Sequence, residues 1–195
     1  MEMTIKASEE QESKSKSAKL ILLFAMVSMT MMFAGLTSAF VVSKSRADWL
    51  KSFELPTAFY YSTAVIIGCS ITFYLAKKAI QKDNRSLTTA LLLGTLALGI
   101  LFVVLQLVGF GQIMESGYYM TGQGSSITAT FLYVITFVHL LHLLGGLISL
   151  LIVIYNHFKQ KYNSTQTLGI ELGAMYWHFL DLLWVLLFLF LYFFK

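Results

Sequence analysis

The chain alternates between long apolar runs and short polar connectors along its 195 residues. Five runs have the length that an α-helix needs to cross a bilayer, which is about 20 residues. Backbone groups in hydrocarbon must satisfy their own hydrogen bonds, and the runs lack the alternation of a β-barrel. The sequence therefore predicts an all-α polytopic membrane protein, a bundle of five transmembrane helices. The predicted spans cover about residues 20–42, 57–76, 88–114, 127–155 and 168–194.

The first 18 residues follow a different pattern. They mix Lys, Glu and Ser, and they lack the apolar core and cleavage site of a signal peptide. We therefore expect a disordered cytoplasmic tail over residues 1–18. Residues 19–195 are predicted to form one membrane domain, with no soluble domain appended.

Composition agrees with a membrane protein. Hydrophobic residues make up 57% of the chain and charged residues 12%, whereas about a quarter of a soluble domain is charged. The single cysteine, Cys69, lies inside an apolar run, which excludes a disulfide framework and a Cys-x-x-Cys site. The net charge is only +4 and the basic residues are scattered, so nucleic acid is not an expected partner.

Basic residues fall unevenly on the two sides of the predicted membrane. Ten Lys and Arg residues lie in the tail and in the connectors after the second and fourth runs, and the other four of the 14 lie on the opposite side. The positive-inside rule therefore predicts a cytoplasmic N-terminus and a periplasmic C-terminus. We expect a multi-pass protein of the bacterial plasma (inner) membrane.

A few ionisable residues interrupt the fourth and fifth runs. His139 and His142, at i and i+3, share one face of helix four; Glu171, His178 and Asp181 share one face of helix five. Rise per residue places the two histidines and the His178/Asp181 pair at similar depth. If helices four and five are neighbours, these groups should meet near the middle of the membrane.

Three interpretations of these polar residues are open. The first is a polar seam that fixes the register of two helices. The second is a redox or metal site, because buried histidines can bind heme iron or copper, although the Glu-x-x-His pairs of a di-iron bundle are absent. The third is a proton-handling or lipid-organising role inside a larger complex. The sequence contains no catalytic Ser/His/Asp order, phosphate-binding loop or His-Glu-x-x-His motif.

Several segments resemble a known family. The string ELGAMYWHFLDLLWVLLF, which begins at Glu171, resembles the last helix of subunit III of the heme–copper cytochrome oxidases, with its Tyr-Trp-His-Phe-x-Asp-x-x-Trp pattern. FVHLLHLLGG resembles the family's His-x-x-His-x-x-x-Gly helix, and the FAGL segment, the Leu-Pro-led second run and Gln106 also match. The residues singled out for a structural seam, or for contact with lipid or another subunit, are His139, His142, Glu171, Trp177, His178, Asp181 and Trp184.

The resemblance implies an accessory subunit of cytochrome c oxidase, a proton-translocating oxidoreductase complex of aerobic electron transport. Such a subunit has no catalytic, cofactor-binding or metal-binding residues of its own. It would dock on subunit I, which holds the hemes and copper, and would support proton uptake and stability during turnover. Phospholipid would assist. Subunits I and II are the expected partners, and a small subunit IV is left open.

The sequence departs from the family in two respects. The long form of the family has seven spans, of which this chain matches the last five. The sequence therefore leaves open whether this chain contributes to the family's lipid-filled cleft. Met29 stands where the family has a buried glutamate, and Gly109 replaces an acidic residue three positions after Gln106.

Two alternative functions also remain open. One is subunit III of a quinol oxidase or of a relative associated with nitric oxide reductase. The other, from a different class, is a stand-alone transporter. The uninterrupted spans, their odd number and the lack of an inverted repeat disfavour the transporter.

Overall fold

Five α-helices make up most of the protein. The computed structural model describes residues 2–46, 48–50, 54–122, 125–163 and 166–194. Each helix contains a stretch long and apolar enough to cross a membrane, which confirms the predicted all-α fold with five spans. The helices are α1 (Glu2–Val42), α2 (Thr57–Gln81), α3 (Arg85–Glu115), α4 (Ile127–Phe158) and α5 (Leu168–Phe194).

Side-chain caps set two of the helix starts. The Asn84 side chain accepts a hydrogen bond from the backbone N–H of Leu87 (3.2 Å) before α3. Ser126 Oγ accepts one from the backbone N–H of Ala129 (3.1 Å) before α4. Each cap satisfies a backbone donor that the first helical turn leaves unpaired. The polar connectors therefore end the apolar runs at defined residues.

The N-terminus differs from the prediction. The sequence predicts a disordered tail over residues 1–18, whereas α1 extends back to Glu2 as one helix of 41 residues. The residues of this segment explain the difference, because Ala, Glu, Gln and Lys have high helix propensity. Two exposed i,i+4 ion pairs add support, Glu10–Lys14 at 2.6 Å and Glu12–Lys16 at 2.8 Å.

Helix α5 lies among three other helices. It packs against α1, α2 and α4, while α2 and α3 form a closely packed hairpin. Large aromatic side chains fill the interior, and α1 lies at the edge of the bundle. In the most apolar 18-residue stretch of α1, only 6% of the residues are buried, whereas 28–39% are buried in the corresponding stretches of the other four helices. The fully buried aromatic residues include Phe59, Phe73, Phe102, Trp177 and Trp184.

Some glycines of the transmembrane helices allow close helix packing, and others do not. A Cβ atom added to Gly173 would lie 2.9 Å from Val153 Cγ2, so this glycine brings α5 close to α4. Gly35, in contrast, has no atom within 4 Å of such a Cβ. Gly35 therefore makes no close approach to another described residue, because it lies on the exposed side of α1.

Gly109 of α3 lies directly against a buried ring of α2. A Cβ atom there would overlap the ring of Phe59 on α2. Phe59 is fully buried and its ring also packs edge-on against Trp184 at 5.6 Å between centroids. Gly109 thus occupies the position where the sequence departs from the family's acidic residue, and an aromatic ring fills the space that a side chain would need.

Replacing Gly109 by alanine should therefore destabilise the bundle. We expect Gly109→Ala to lower the free energy of unfolding by roughly 1–3 kcal/mol, because the added methyl group overpacks the Phe59 contact. Gly94→Ala on the same helix is the matched control, since a Cβ at Gly94 meets no atom within 4 Å. That change should be neutral or slightly stabilising. Thermal unfolding in detergent checks both variants, and equal midpoints would contradict the packing argument.

Candidate functional site

His139 lies in the aromatic interior of the bundle. Its side chain is 1% exposed, and its ring packs against Trp184 with 5.2 Å between centroids. The rings of Phe33 and Phe102 lie edge-on at 6.3 and 6.2 Å. Neither ring nitrogen has a hydrogen-bond partner among the described residues. His139 therefore contacts α1, α3 and α5 through its ring faces and edges.

His142 lies one turn further along α4. Its Nδ1 atom is 2.7 Å from the backbone oxygen of Val138 on the same helix, and its ring packs against Phe33 at 5.8 Å. The backbone oxygen of His142 accepts a hydrogen bond from the hydroxyl group of Tyr176 on α5 (3.1 Å). This bond joins α4 to α5, through a backbone oxygen and not through the imidazole.

His178 and Asp181 lie on the other side of α5. His178 Nδ1 is 2.6 Å from Ser70 Oγ on α2, and its ring is tilted against Phe73 at 6.2 Å. Asp181, nearly one turn further along, is 4% exposed, and neither of its carboxylate oxygens has a hydrogen-bond partner among the described residues. His178 thus contacts α2 through both Ser70 and Phe73.

The two buried tryptophans of α5 differ in their polar contacts. Trp184 Nε1–H donates a hydrogen bond to Thr63 Oγ1 on α2 (3.0 Å). Trp177 Nε1 has no partner in the described part of the chain. The Trp177 ring packs over Gly99 of α3 and Gly146 of α4, where an added Cβ would lie 3.0 and 3.4 Å from its nearest ring atoms. Trp184 therefore both packs and hydrogen-bonds, whereas Trp177 packs.

Glu171 lies near the N-terminus of α5. Its Oε2 atom forms an ion pair with Lys19 Nζ on α1 at 2.8 Å, and Oε1 accepts a hydrogen bond from Thr167 Oγ1 at 2.8 Å. Both side chains are partly exposed. The acid is therefore paired with a base from another helix, at the edge of the membrane domain.

No contact of the described residues joins the histidine rings of α4 to the His178 or Asp181 side chains of α5. The structure places His139 against Trp184 and Phe33, and it places His178 against Ser70. The reason is that α5 lies between α2 and α4, so one of its sides faces each of them. Spacing along α5 predicts which residues share a face, but it does not predict which neighbouring helix that face contacts.

Sequence reasoning missed several partners because they carry no charge. Ser70, Thr63 and the Tyr176 hydroxyl group each form a hydrogen bond between helices. A further bond joins Gln106 Nε2 to Ser62 Oγ (3.0 Å), between α3 and α2. Hydroxyl and amide groups within apolar spans are common partners across helix interfaces. This rule could have pointed to the Ser and Thr residues of α2 as hydrogen-bond partners for other helices.

The arrangement provides contacts between helices. Among the described residues, no group of three or more His, Cys, Asp and Glu side chains could hold a metal ion. The hydrogen bonds that Tyr176, His178 and Trp184 form each join α5 to a neighbouring helix. These contacts can set the position of α5 and, through it, the outer shape of the bundle.

Comparison with known proteins identifies the family. The sequence model of the family described as "Cytochrome c oxidase subunit III" matches residues 1–195. The chain belongs to the cytochrome c oxidase subunit III family. The helices that carry Tyr176–Trp184 and His139–Gly146 are thus the family's helices, as the resemblance implied.

Individual members of the subunit III family are moderately similar. A lamprey protein named "Cytochrome c oxidase subunit 3" (Petromyzon marinus) is 32% identical over 145 residues, which are 73% of this chain and 51% of the relative. The protein of the same name from Drosophila melanogaster is 29% identical over 140 residues, covering 72% and 50%. The one from Spodoptera frugiperda is 30% identical over 140 residues, covering 72% and 89%. The matched region spans about half the length of the first two relatives.

The hydrogen bond of Trp184 to Thr63 should contribute measurably to stability. Interhelical hydrogen bonds in membranes contribute about 0.6 kcal/mol on average and up to about 1.7 kcal/mol. Trp184→Phe removes this bond together with part of a buried ring. Trp177→Phe is the matched control, because it removes a similar volume from the same helix and no hydrogen bond within the described part of the chain.

We therefore expect Trp184→Phe to be the more destabilising change by about 0.6–1.7 kcal/mol. In a Thr63→Val background the difference between the two tryptophan variants should shrink, because the acceptor is already gone. Unfolding in detergent measures all of these variants. An unchanged difference in that background would mean that the bond contributes nothing.

Proposed function

We propose that this chain is subunit III of a heme–copper oxidase, a respiratory complex that reduces oxygen and translocates protons. The match of the family over all 195 residues carries this proposal. The names of the relatives support it, since each is called cytochrome c oxidase subunit 3. In this role the chain has no active site of its own and docks on subunit I, beside subunit II.

The proposed role is mechanical. The chain supports fast proton uptake into subunit I and the stability of the complex during turnover, and it does so by holding a bundle of fixed shape against that subunit. The contacts of α5 support this role, because Tyr176, His178 and Trp184 form hydrogen bonds to other helices of the same chain. The buried rings of His139 and Trp177 add packing between helices. The residues proposed to brace the bundle are His139, His142, Glu171, Trp177, His178, Asp181 and Trp184.

The proposed location is a bacterial inner membrane, with the N-terminus in the cytoplasm. The distribution of basic residues supports this orientation, since ten of the 14 lie on the side of the N-terminus. Lys19, Lys161 and Arg85 then lie at the cytoplasmic edge, where anionic lipid headgroups attract basic side chains.

We further propose a phospholipid site between α1, α4 and α5. A polar cavity of about 700 Å³ lies among the N-terminal part of α1, the α4–α5 connector and the start of α5. An apolar groove of about 460 Å³ runs beside it toward the middle of the membrane, and Tyr162 and Gly169 line both spaces. Leu22, Met29, Ile152, Val153 and Leu172 are among the groove residues.

The chemistry of these two spaces fits the two ends of a phospholipid. Lys161 lines the polar cavity, and its charged amine can bind a phosphate group. The groove offers an acyl chain mainly apolar side chains. Tyr162 lies between the two, and burial raises the pKa of its hydroxyl group further above the neutral range, in which a tyrosine is already uncharged. Met29, at the position of the family's buried glutamate, keeps the groove apolar.

Purification of the native complex tests the proposed assignment. In mild detergent the chain should purify together with heme-containing subunits and with a reduced-minus-oxidised heme spectrum. His178→Leu removes the bond to Ser70 and should lower the stability of the complex by about 0.6–1.7 kcal/mol. The heme content per subunit I should stay at the wild-type value, because the heme ligands belong to another chain. Purification free of heme proteins would contradict the assignment, and loss of heme from an intact complex would contradict the bracing role.

Lipid retention tests the proposed phospholipid site. Lys161→Gln removes a cation from the polar cavity, and one such contact contributes about 1 kcal/mol. The affinity for phospholipid should fall about fivefold, measured by mass spectrometry of the lipid kept after detergent washing. Lys159→Gln is the matched control, because Lys159 lies over the Tyr155 ring and does not line the cavity. Equal retention in both variants would contradict the site.

A further inference from the structure

The buried residues of α1 form a stripe at intervals of seven. Met26, Phe33 and Phe40 are 8%, 2% and 1% exposed, and they are the buried hydrophobic residues of the described part of α1. Residues seven apart lie on the same side of a helix. Lys19 continues the series by one more interval toward the N-terminus. This stripe, Lys19–Met26–Phe33–Phe40, is the side of α1 that faces the bundle.

Aromatic packing by Phe33 and Phe40 holds the C-terminal half of α1 against the bundle. The Phe40 ring packs edge-on against Trp49, Phe131 and Phe190, at 4.8, 5.9 and 5.4 Å between centroids. Phe33 packs against the rings of His139 and His142. Buried aromatic contacts of this kind are among the stronger packing interactions. The C-terminal half of α1 is therefore anchored in the bundle.

The N-terminal half is held by a different interaction. The Lys19–Glu171 ion pair, at 2.8 Å, is the one ion pair that joins two helices within the described residues. Thr167 also donates a hydrogen bond to Glu171, so the acid has a second partner next to α5. The side chain of Glu171 is 24% exposed and that of Lys19 is 40% exposed, which leaves the pair accessible to water.

This ion pair stands at the entrance to the proposed lipid groove. Lys19 and Glu171 both line the polar cavity. Leu22, less than one turn beyond Lys19, and Met29 form the α1 wall of the groove, opposite Val153 and Gly173. If the ion pair opens, α1 can tilt about its anchored half, and the groove then widens at the N-terminal end.

We propose that the Lys19–Glu171 pair is a latch that controls the release of phospholipid from the groove between α1 and α4/α5. This inference rests on the proposed lipid site. With the latch closed, α1 and α5 enclose the acyl chain below the headgroup. With the latch open, the chain leaves sideways into the bilayer. The anchor at Phe33 and Phe40 keeps α1 in the bundle in both states.

The rate of lipid release from the purified complex tests the latch. The complex is equilibrated in nanodiscs of phosphatidylethanolamine and phosphatidylglycerol with deuterated acyl chains, then moved into unlabelled lipid. Native mass spectrometry follows the deuterated lipid that remains bound. Lys19→Gln and Glu171→Gln should each speed release about two- to fivefold, as expected for the loss of a partly exposed ion pair. The exchanged pair, Lys19→Glu with Glu171→Lys, should restore slow release.

Lys14→Gln is the matched control. It makes the same change of charge on the same helix, in a pair with Glu10 that lies outside both spaces. Its release rate should equal that of the wild type. Helix content and recovery of the partner chains confirm that each variant is folded and assembled.

Different outcomes separate the two proposals. If the wild type retains labelled lipid and the single variants release it at the wild-type rate, the latch is wrong and the lipid site stands. If the exchanged pair releases lipid as fast as the single variants, an ion pair is not what holds α1. If the wild type retains no labelled phospholipid, the lipid site is wrong and the latch is wrong with it.

Discussion

The low polarity of the bilayer is the constraint on which this structure depends. A polar side chain at membrane depth is costly unless a partner is within reach, so each one limits how the helices can be arranged. In this chain several of these polar side chains lie on α5. Its Tyr176, His178 and Trp184 form bonds to α4, α2 and α2. Together with the ion pair to α1, these bonds set the position of α5 relative to three neighbouring helices.

Aromatic rings and glycines complete this arrangement. The Phe59 ring fills the space that a side chain at position 109 would occupy, and the Trp177 ring packs against Gly99 and Gly146. Rings provide large contact areas, whereas glycines let the helix backbones approach them closely. Packing of this kind is needed in a membrane, because lipid tails compete equally well for apolar surface. Shape complementarity thus contributes the specificity that the hydrophobic effect contributes in a soluble domain.

The sequence predicted the helices well and the tertiary contacts less well. The number of helices followed from the five apolar runs, and the structure has five helices long and apolar enough to cross a membrane among the residues it describes. The extent of α1 did not follow, because a segment of mixed charge is compatible with both disorder and an exposed helix. The partners of His178 and Trp184 also did not follow. Helical periodicity fixes angles within one helix, while Ser70 and Thr63 lie more than 100 residues away along the chain.

The length of α1 has a consequence for the surroundings of the membrane. At 1.5 Å per residue, a helix of 41 residues is roughly 60 Å long, while the hydrocarbon core is about 30 Å thick. Roughly half of α1 therefore extends beyond the hydrocarbon as a helix whose sides bear charges of both signs. A continuous helix of this length occupies the surface beside the bundle, and it limits which proteins can approach the membrane there. A flexible segment of the same length would leave that surface more accessible.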